Sequence, residues 1–177
     1  STMITRDLRE MARRDSYRVL SSLVVPRPIA WVMTAGEGGA LNLAPFSSFM
    51  GMFNPPLVGI NFGRRRDGSL KDTHRNLRER CEAVVHLADA AMLPPLHASG
   101  EEVPADESEV ARLGLATVPS DAVAPPRLTD APVALECRLR QEVPLDEHST
   151  LVLCDVLVIH AAERIWDANL DCARADR

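Results

Sequence analysis

A short segment, Asn42-Leu43-Ala44-Pro45-Phe46-Ser47-Ser48-Phe49, carries the side chains best suited to hold an anion or the edge of a flat ring. Two adjacent hydroxyls and an amide stand beside a proline, so several hydrogen-bond donors lie on a stiffened backbone. Stiff loops with free N–H groups suit an anion or a heterocycle. The same serines could instead satisfy backbone groups of an ordinary turn, and the segment alone leaves both interpretations open.

A second segment, Lys71-Asp72-Thr73-x-x-Asn76, stands where the sequence predicts the start of a helix. The first turn of a helix has unpaired N–H groups and a partial positive charge. Lys71 adds a full charge and Thr73 a hydroxyl, so the segment favours a phosphate cradle. Arg64 to Arg66 could strengthen the positive field. The alternative is a plainly capped helix behind a solvated basic loop.

A third segment, Val25-Pro26-Arg27-Pro28-Ile29-Ala30-Trp31, has two prolines that fix the backbone just before a predicted strand. Its backbone amides and carbonyls could read the edge of a flat ring. The prolines could equally do no more than stiffen the approach to the strand, so this segment is also ambiguous by itself.

The cysteines and histidines predict neither a metal site nor a nucleophile. The four cysteines form no C-x-x-C pair, and the five histidines show no metal-ligand spacing. We therefore expect buried free thiols and no metal, with His86 and His160 as structural residues of strands. No Ser-His-Asp or Cys-His pairing follows from the order of residues alone.

The elements that must position these segments are mostly strands. Periodicity and turn residues predict a helix over 3–21, strands over 29–35 and 40–46 joined by a turn at 36–39, a strand over 57–62, a helix from 71 to about 80, a strand over 82–88, a short helix over 108–113, and strands over 133–142 and 151–159. Strand and helix do not alternate regularly, and no G-x-G-x-x-G follows the first strand. The predicted fold is a mainly antiparallel barrel with helical insertions.

Composition narrows the classes of function. The chain has 177 residues, of which 46% are apolar, enough for one domain over residues 1–177. The net charge of −5 without a long basic tract argues against nucleic-acid binding. No apolar run approaches the roughly 20 residues that span a membrane. Residues 1–20 are charged, so we expect no signal peptide and a cytoplasmic protein with reduced thiols.

Taken in order, the motifs resemble the flavin-reductase-like family with the FMN-binding split barrel, which includes flavoredoxins. The matching residues are Pro26 to Ala30, Asn42-x-Ala44-Pro45-Phe46-Ser47-Ser48-Phe49, Asn54-Pro55-Pro56, Lys71-Asp72-Thr73-x-x-Asn76, Ser108 with Gly114-Leu115, Pro119-Ser120, and Ala131 to Cys137. The likeness spans roughly residues 17–171. It implies a β-rich α+β fold, an antiparallel split β-barrel with short helical insertions, and a homodimer with FMN near the subunit interface.

The resemblance also implies which residues bind the cofactor. Lys71 and Thr73 would hold the FMN phosphate with help from Ser47 or Ser48, and Asn42 would support the loop or touch the cofactor. The full implied set is Arg27, Pro28, Thr34, Asn42, Ala44, Pro45, Phe46, Ser47, Ser48, Phe49, Lys71 and Thr73. Within it, Ala44 to Phe49 would line the flavin and ribityl chain, and Arg27, Pro28 and Thr34 would lie near the ring edge. Met50 and His86 depart from the family pattern, which bears on substrate recognition more than on cofactor binding.

The function implied is that of an NAD(P)H:flavin reductase. NADH or NADPH would deliver hydride to flavin N5, and electrons would pass to a second acceptor such as a partner protein, iron or oxygen. Hydride transfer needs no acid–base side chain, so no catalytic residue is predicted. An FMN-binding electron carrier without intrinsic NAD(P)H activity is the main alternative. A barrel for another anion or a heme-like ligand, and a purely structural domain, are further ones.

Overall fold

A computed structural model describes residues 2–174, and strands dominate this part of the chain. The principal strands are β1 Ala30–Ala35, β2 Leu41–Phe46, β3 Phe49–Phe53, β4 Pro56–Gly63, β5 Glu82–Leu87, β8 Val133–Pro144 and β9 Ser149–Ala161. Two-residue strands pair as β6 Thr117–Val118 with β7 Arg127–Leu128, and β10 Trp166–Asp167 with β11 Cys172–Ala173. The helices are α1 Arg13–Leu23, α2 Asp72–Arg80, α3 Leu93–Ala98 and α4 Glu109–Arg112.

The long strands form one antiparallel sheet in the order β2-β1-β5-β8-β9-β4-β3. The sheet curls so that strands far apart in this order meet inside it: the rings of Phe46 on β2 and Phe62 on β4 pack edge to face with centroids 4.7 Å apart. The fold is the antiparallel split β-barrel with short helical insertions that the sequence predicted. None of the helices within residues 2–174 is long and apolar enough to cross a membrane.

Both faces of the central strands are buried. Side chains on both faces are therefore mostly apolar, and the sequences of these strands are nearly continuous apolar runs. Successive side chains of β1 point to opposite faces, so Ala30 and Val32 join the inner core while Trp31 and Met33 join an outer one. Helix α2 covers part of the inner core through Leu77. The segment of short helices that follows β5 covers the outer core.

The predicted turn between β1 and β2 was right, and the predicted start of the first helix was wrong. The β1–β2 hairpin has the predicted turn, in which Gly38 and Gly39 take φ values of 69° and 83° that favour glycine. The helix predicted over 3–21 was wrong for residues 3–12, which hold only a short 3-10 turn at Leu8–Glu10. Met11 and Ala12 are extended there, and α1 begins at Arg13. Met3, Ile4 and Leu8 are exposed and Met11 is only half-buried, so the helical spacing of these residues did not reflect packing.

Strand β3 was missed because its sequence lacks a strand pattern. Phe49–Phe53 carries a glycine at its centre, alternates only partly in burial, and lies at the edge of the sheet. The predicted anion-binding segment is therefore mostly strand: β2 ends at Phe46, Ser47 and Ser48 form the turn, and β3 follows.

His86 joins three elements at the centre of the outer core and is structural, as predicted. Its buried ring is placed to donate from Nδ1 to the Trp31 carbonyl, 3.0 Å away, and Nε2 accepts from the Leu128 N–H at 2.9 Å. Burial lowers the pKa of His86 to about 4, although the Trp31 carbonyl opposes the shift. The neutral ring is the form that this bonding pattern requires.

His86 should make the protein lose stability in mild acid. Because the pKa is lower in the folded than in the unfolded chain, stability is full above pH 6.5 and falls as the pH drops towards about 4, by up to about 3 kcal/mol. Urea unfolding across this range should show the loss for the native chain and for His148→Gln, whose ring is exposed. His86→Gln should have a lower free energy of unfolding at neutral pH, but this free energy should fall less steeply as the pH drops. An unchanged pH dependence in His86→Gln would show that His86 does not cause the loss of stability.

Candidate functional site

The two predicted anion-binding segments line one cleft, where the start of α2 meets the end of β2. A cavity of about 130 Å³ adjoins a second of about 450 Å³, and both are lined by Pro45, Phe46, Gly100 and Glu101. Together they fall within the size range of ligand-binding clefts, roughly 300–1,000 Å³. The predicted residues that line the first cavity are Asn42, Ala44, Pro45, Phe46, Lys71 and Thr73. Ser47 lines the second.

Helix α2 presents its positive end to this cleft. Lys71, the residue before its first turn, is extended, and its side chain makes no capping hydrogen bond. The N–H groups of the first turn have no partner within the helix. The Lys71 ammonium lies 5.5 Å from the centroid of the Phe46 ring, a cation–π distance that holds the charge beside β2. Lys71 is also the only lysine of the chain.

Two hydrogen bonds attach α2 to the β1–β2 hairpin. Asn42 Nδ2 donates to Thr73 Oγ1 at 2.8 Å, and Asn76 Nδ2 donates to Thr34 Oγ1 at 3.0 Å. Asn76 and Thr34 are both buried. Gly36 allows this contact, because a Cβ there would lie 3.3 Å from Asn76 Oδ1. Asn42 therefore lines the cleft and also anchors α2 through Thr73. Thr34 does not line the cleft; it anchors α2 through Asn76.

Two of the acidic residues that line the cleft, Asp72 and Glu101, pair with arginines. The Asp72 carboxylate pairs with Arg65, which also lines the cleft, and with Arg75 at 2.6 Å. Glu101 pairs with Arg112 at 3.0 Å. The field of Lys71 and of the helix end is therefore not cancelled by these two carboxylates.

A buried acid, Glu109 of α4, also lines the first cavity. Its Oε2 accepts a hydrogen bond from the Leu43 N–H at 3.0 Å. Burial raises the pKa of Glu109, while the bond from Leu43 opposes the shift; the nearby Asp72 charge raises it further. The sequence did not predict a role for Glu109. The only local signal there is Ser108, which caps a short helix and does not indicate a binding site.

Other residues of the implied set lie outside this cleft. Arg27 donates to the Ser21 and Val24 carbonyls, each at 2.5 Å, and so holds the end of α1. Arg27, Ser47 and Ser48 line a separate cavity of about 240 Å³ against α1. Ser47 therefore lies between the two regions, and Arg27 and Ser48 belong to the α1 side.

Pro28 and Phe49 stand apart from the cavities described above. Pro28 is exposed before β1, and Phe49 packs against the inner core. In the basic loop, Arg64 bonds the Glu147 and Gly68 carbonyls, which is a structural role, and Arg66 is exposed. Arg65 is the member of this run that reaches the cleft.

The fold also brings together Asp121, Glu136 and His160, with ligand-type atoms within 4.8 Å of one another. Sequence spacing could not find this group, because its members come from distant parts of the chain. Glu136 accepts from the Asp121 and Ala122 N–H groups at 2.8 and 2.6 Å, and lies 2.7 Å from His160 Nε2. Although burial works to raise it, these bonds hold the pKa of Glu136 below its ordinary value. The carboxylate thus pins a loop to the sheet.

Comparison with known proteins identifies the family. Residues 21–170 match the family described as Flavin reductase like domain, and the chain belongs to that family. The uncharacterized protein YwrF of Bacillus subtilis is 37% identical over 166 residues, which are 90% of this chain and 80% of that protein.

Two solved structures share the fold over most of both chains. Nitrilotriacetate monooxygenase component B from Bacillus cereus gives a TM-score of 0.90 at 30% identity, covering 95% of this chain and 86% of that one. The 2-nitrobenzoate 2-nitroreductase NbaA of Pseudomonas fluorescens gives 0.88 at 28% identity, covering 98% and 84%. The resemblance drawn from the motifs is thereby confirmed.

Proposed function

We propose that this protein is an FMN-dependent NAD(P)H:flavin reductase that binds the FMN phosphate at the start of α2. The observation that carries the proposal is the lysine-flanked helix end of α2, which meets Asn42 and Phe46 of β2 at one cleft. Membership of the flavin reductase like domain family supports the reaction class. The family supports a flavin and the helix end supports a phosphate, so two separate observations support the proposal.

The residues present fit a phosphate monoester attached to a longer, flat ligand. Lys71 and Thr73 with the first-turn N–H groups would hold the phosphate, because helix ends and ammonium groups both favour anions. Lys71 is the one lysine in the sequence, and the other basic side chains, histidines aside, are arginines. An ammonium offers a compact charge with freely rotating donors, which suits a phosphate end that approaches from several angles. The ring would extend along Pro45 and Ser47 into the larger cavity.

When bound, FMN supplies the redox chemistry, accepting a hydride at N5 from NADH or NADPH and passing electrons to a second acceptor. The protein's part is to position the ring with one face open to a nicotinamide, which must approach to roughly 3–3.5 Å. No side chain is assigned as an acid or base. The name of the Bacillus cereus neighbour makes it one component of a monooxygenase, which favours a partner enzyme as the acceptor.

We further propose that two copies of the chain assemble through α1 and β3. None of the residues of α1, all of which the structure describes, is buried, and Tyr17, Leu20 and Leu23 expose apolar surface. On β3, Met50 and Phe53 are exposed too, Phe53 by 90%. Exposed apolar side chains on a helix and on an edge strand favour such an interface. A partner there would also cover the cavity lined by Arg27 and Ser48, and a monomer in sedimentation analysis would contradict this proposal.

Substituting Lys71 should weaken FMN binding. Lys71→Ala removes a charge-assisted hydrogen bond, so the dissociation constant measured by flavin fluorescence quenching should rise by about 10- to 150-fold, or about 1.5–3 kcal/mol. Arg66→Ala is the matched control: it removes the same charge from the exposed loop and should change affinity little. Equal affinities for the native chain and Lys71→Ala would place the phosphate elsewhere.

Rapid mixing tests the reaction itself. The FMN-loaded protein, mixed with NADH or NADPH without oxygen, should lose its flavin absorbance within the time of one turnover, because hydride reaches the ring directly. Stopped-flow absorbance measures this loss. Little or no bleaching by either nucleotide, together with rapid reduction by an electron-donor protein, would contradict the reductase and favour the electron carrier.

A further inference from the structure

Glu109 occupies an unusual position for an acid in a site proposed to bind a phosphate. It opens α4, is only 5% exposed, and lines the same cavity as Lys71 and Thr73. Its Oε2 accepts from the N–H of Leu43, which lies in β2 between two residues that line the cavity. Oε2 is thereby held against β2 at the wall of this cavity.

Burial is the largest influence on the pKa of Glu109 and raises it; of the neighbouring charges, Asp72 raises this pKa and Arg112 lowers it. On its own helix, Arg112 is committed to Glu101 at 3.0 Å and to the Ala98 carbonyl at 2.9 Å. On α2, Asp72 carries a like charge. The other titratable residues on the cavity are Arg65, which is bound to Asp72, Lys71, and the exposed acids Glu101 and Glu102.

An ionised Glu109 would also repel the ligand. A phosphate monoester carries close to two negative charges at neutral pH, and a buried carboxylate in the same cavity would oppose it with little screening. A carboxylic acid removes this repulsion and can donate one hydrogen bond to a phosphate oxygen while its carbonyl oxygen still accepts from Leu43. Burial and the Asp72 charge, which raise the pKa of Glu109, act in the same direction.

We propose that Glu109 contacts the FMN phosphate as a neutral carboxylic acid, so that FMN binding takes up a proton from solvent at this side chain. The inference rests on the proposed function for the identity of the ligand. The balance is simple: one proton passes from buffer to one carboxylate oxygen, no other bond forms or breaks, and the proton is returned when FMN leaves. Glu109 is thus a specificity-determining residue for a phosphate dianion.

The sign of the pH dependence follows from linkage. Because the complex holds more protons than the free protein, affinity falls as the pH rises, by at most tenfold for each pH unit and one proton. The phosphate titrates near pH 6 and has the opposite effect, since its dianion binds better to Lys71. Above about pH 7 most of the phosphate is already ionised, so the remaining pH dependence of the affinity is assigned chiefly to Glu109.

Calorimetric titration with FMN between about pH 7 and about pH 9, in pairs of phosphate-free buffers that differ in ionisation enthalpy, tests the proposal. The native chain should take up protons, at most one per site, and should lose affinity as the pH rises. Glu109→Gln reproduces both hydrogen bonds without a titrating group, so it should bind FMN with neither proton uptake nor pH dependence. Glu107→Gln, an exposed neighbour, should behave like the native chain.

Two further measurements keep the test decisive. Riboflavin, which lacks the phosphate, should bind without proton uptake, and difference infrared spectra of the native chain should gain a protonated carboxyl band on adding FMN. FMN binding without proton uptake or this band, or with uptake unchanged in Glu109→Gln, overturns the role of Glu109 and leaves the proposed function standing. Absence of FMN binding by the native chain overturns both.

Discussion

The site depends on the attachment of the first turn of α2 to the β1–β2 hairpin. Asn42 bonds Thr73 at the rim of the cleft, and Asn76 bonds Thr34 beneath it, in a region closed to solvent. A buried polar group that loses its partner costs about 1–3 kcal/mol, so the helix cannot shift along the hairpin without a large penalty. This constraint fixes the Lys71 charge and the free N–H groups relative to β2, which is what a preformed anion site needs.

Among the described residues that line the cleft, Lys71 is the cation that pairs with no carboxylate. Arg65 and Arg75 are occupied by Asp72, and Arg112 by Glu101. Lys71 contacts an aromatic ring instead of a carboxylate, so its charge stays available to a ligand. In the proposed complex Glu109 is protonated and does not offset this charge. The same arrangement would allow a chain whose net charge is −5 to bind an anion.

Local signals in the sequence predicted the elements whose ends are marked by turn or helix-capping residues. The glycines after β1 predicted the hairpin, and Lys71-Asp72-Thr73 predicted the start of α2, because turns and helix ends are encoded by neighbouring residues. Edge strand β3 and the extended residues before α1 could not be predicted, since exposed segments lack a burial pattern. The hydrogen bond of Glu109 to Leu43 and the ion pair of Arg65 with Asp72 form only when the chain folds. Patterns within a single sequence do not reveal such contacts.

The central claim concerns where the phosphate lies, and a crystal structure of the FMN complex tests it most directly. The account predicts phosphate oxygens within hydrogen-bond distance of Lys71 Nζ, the Thr73 hydroxyl and the first-turn N–H groups of α2, with the ring beside Ser47. A complex in which the phosphate lies against α1 or the exposed Arg66 loop, with the start of α2 free of ligand, would contradict it.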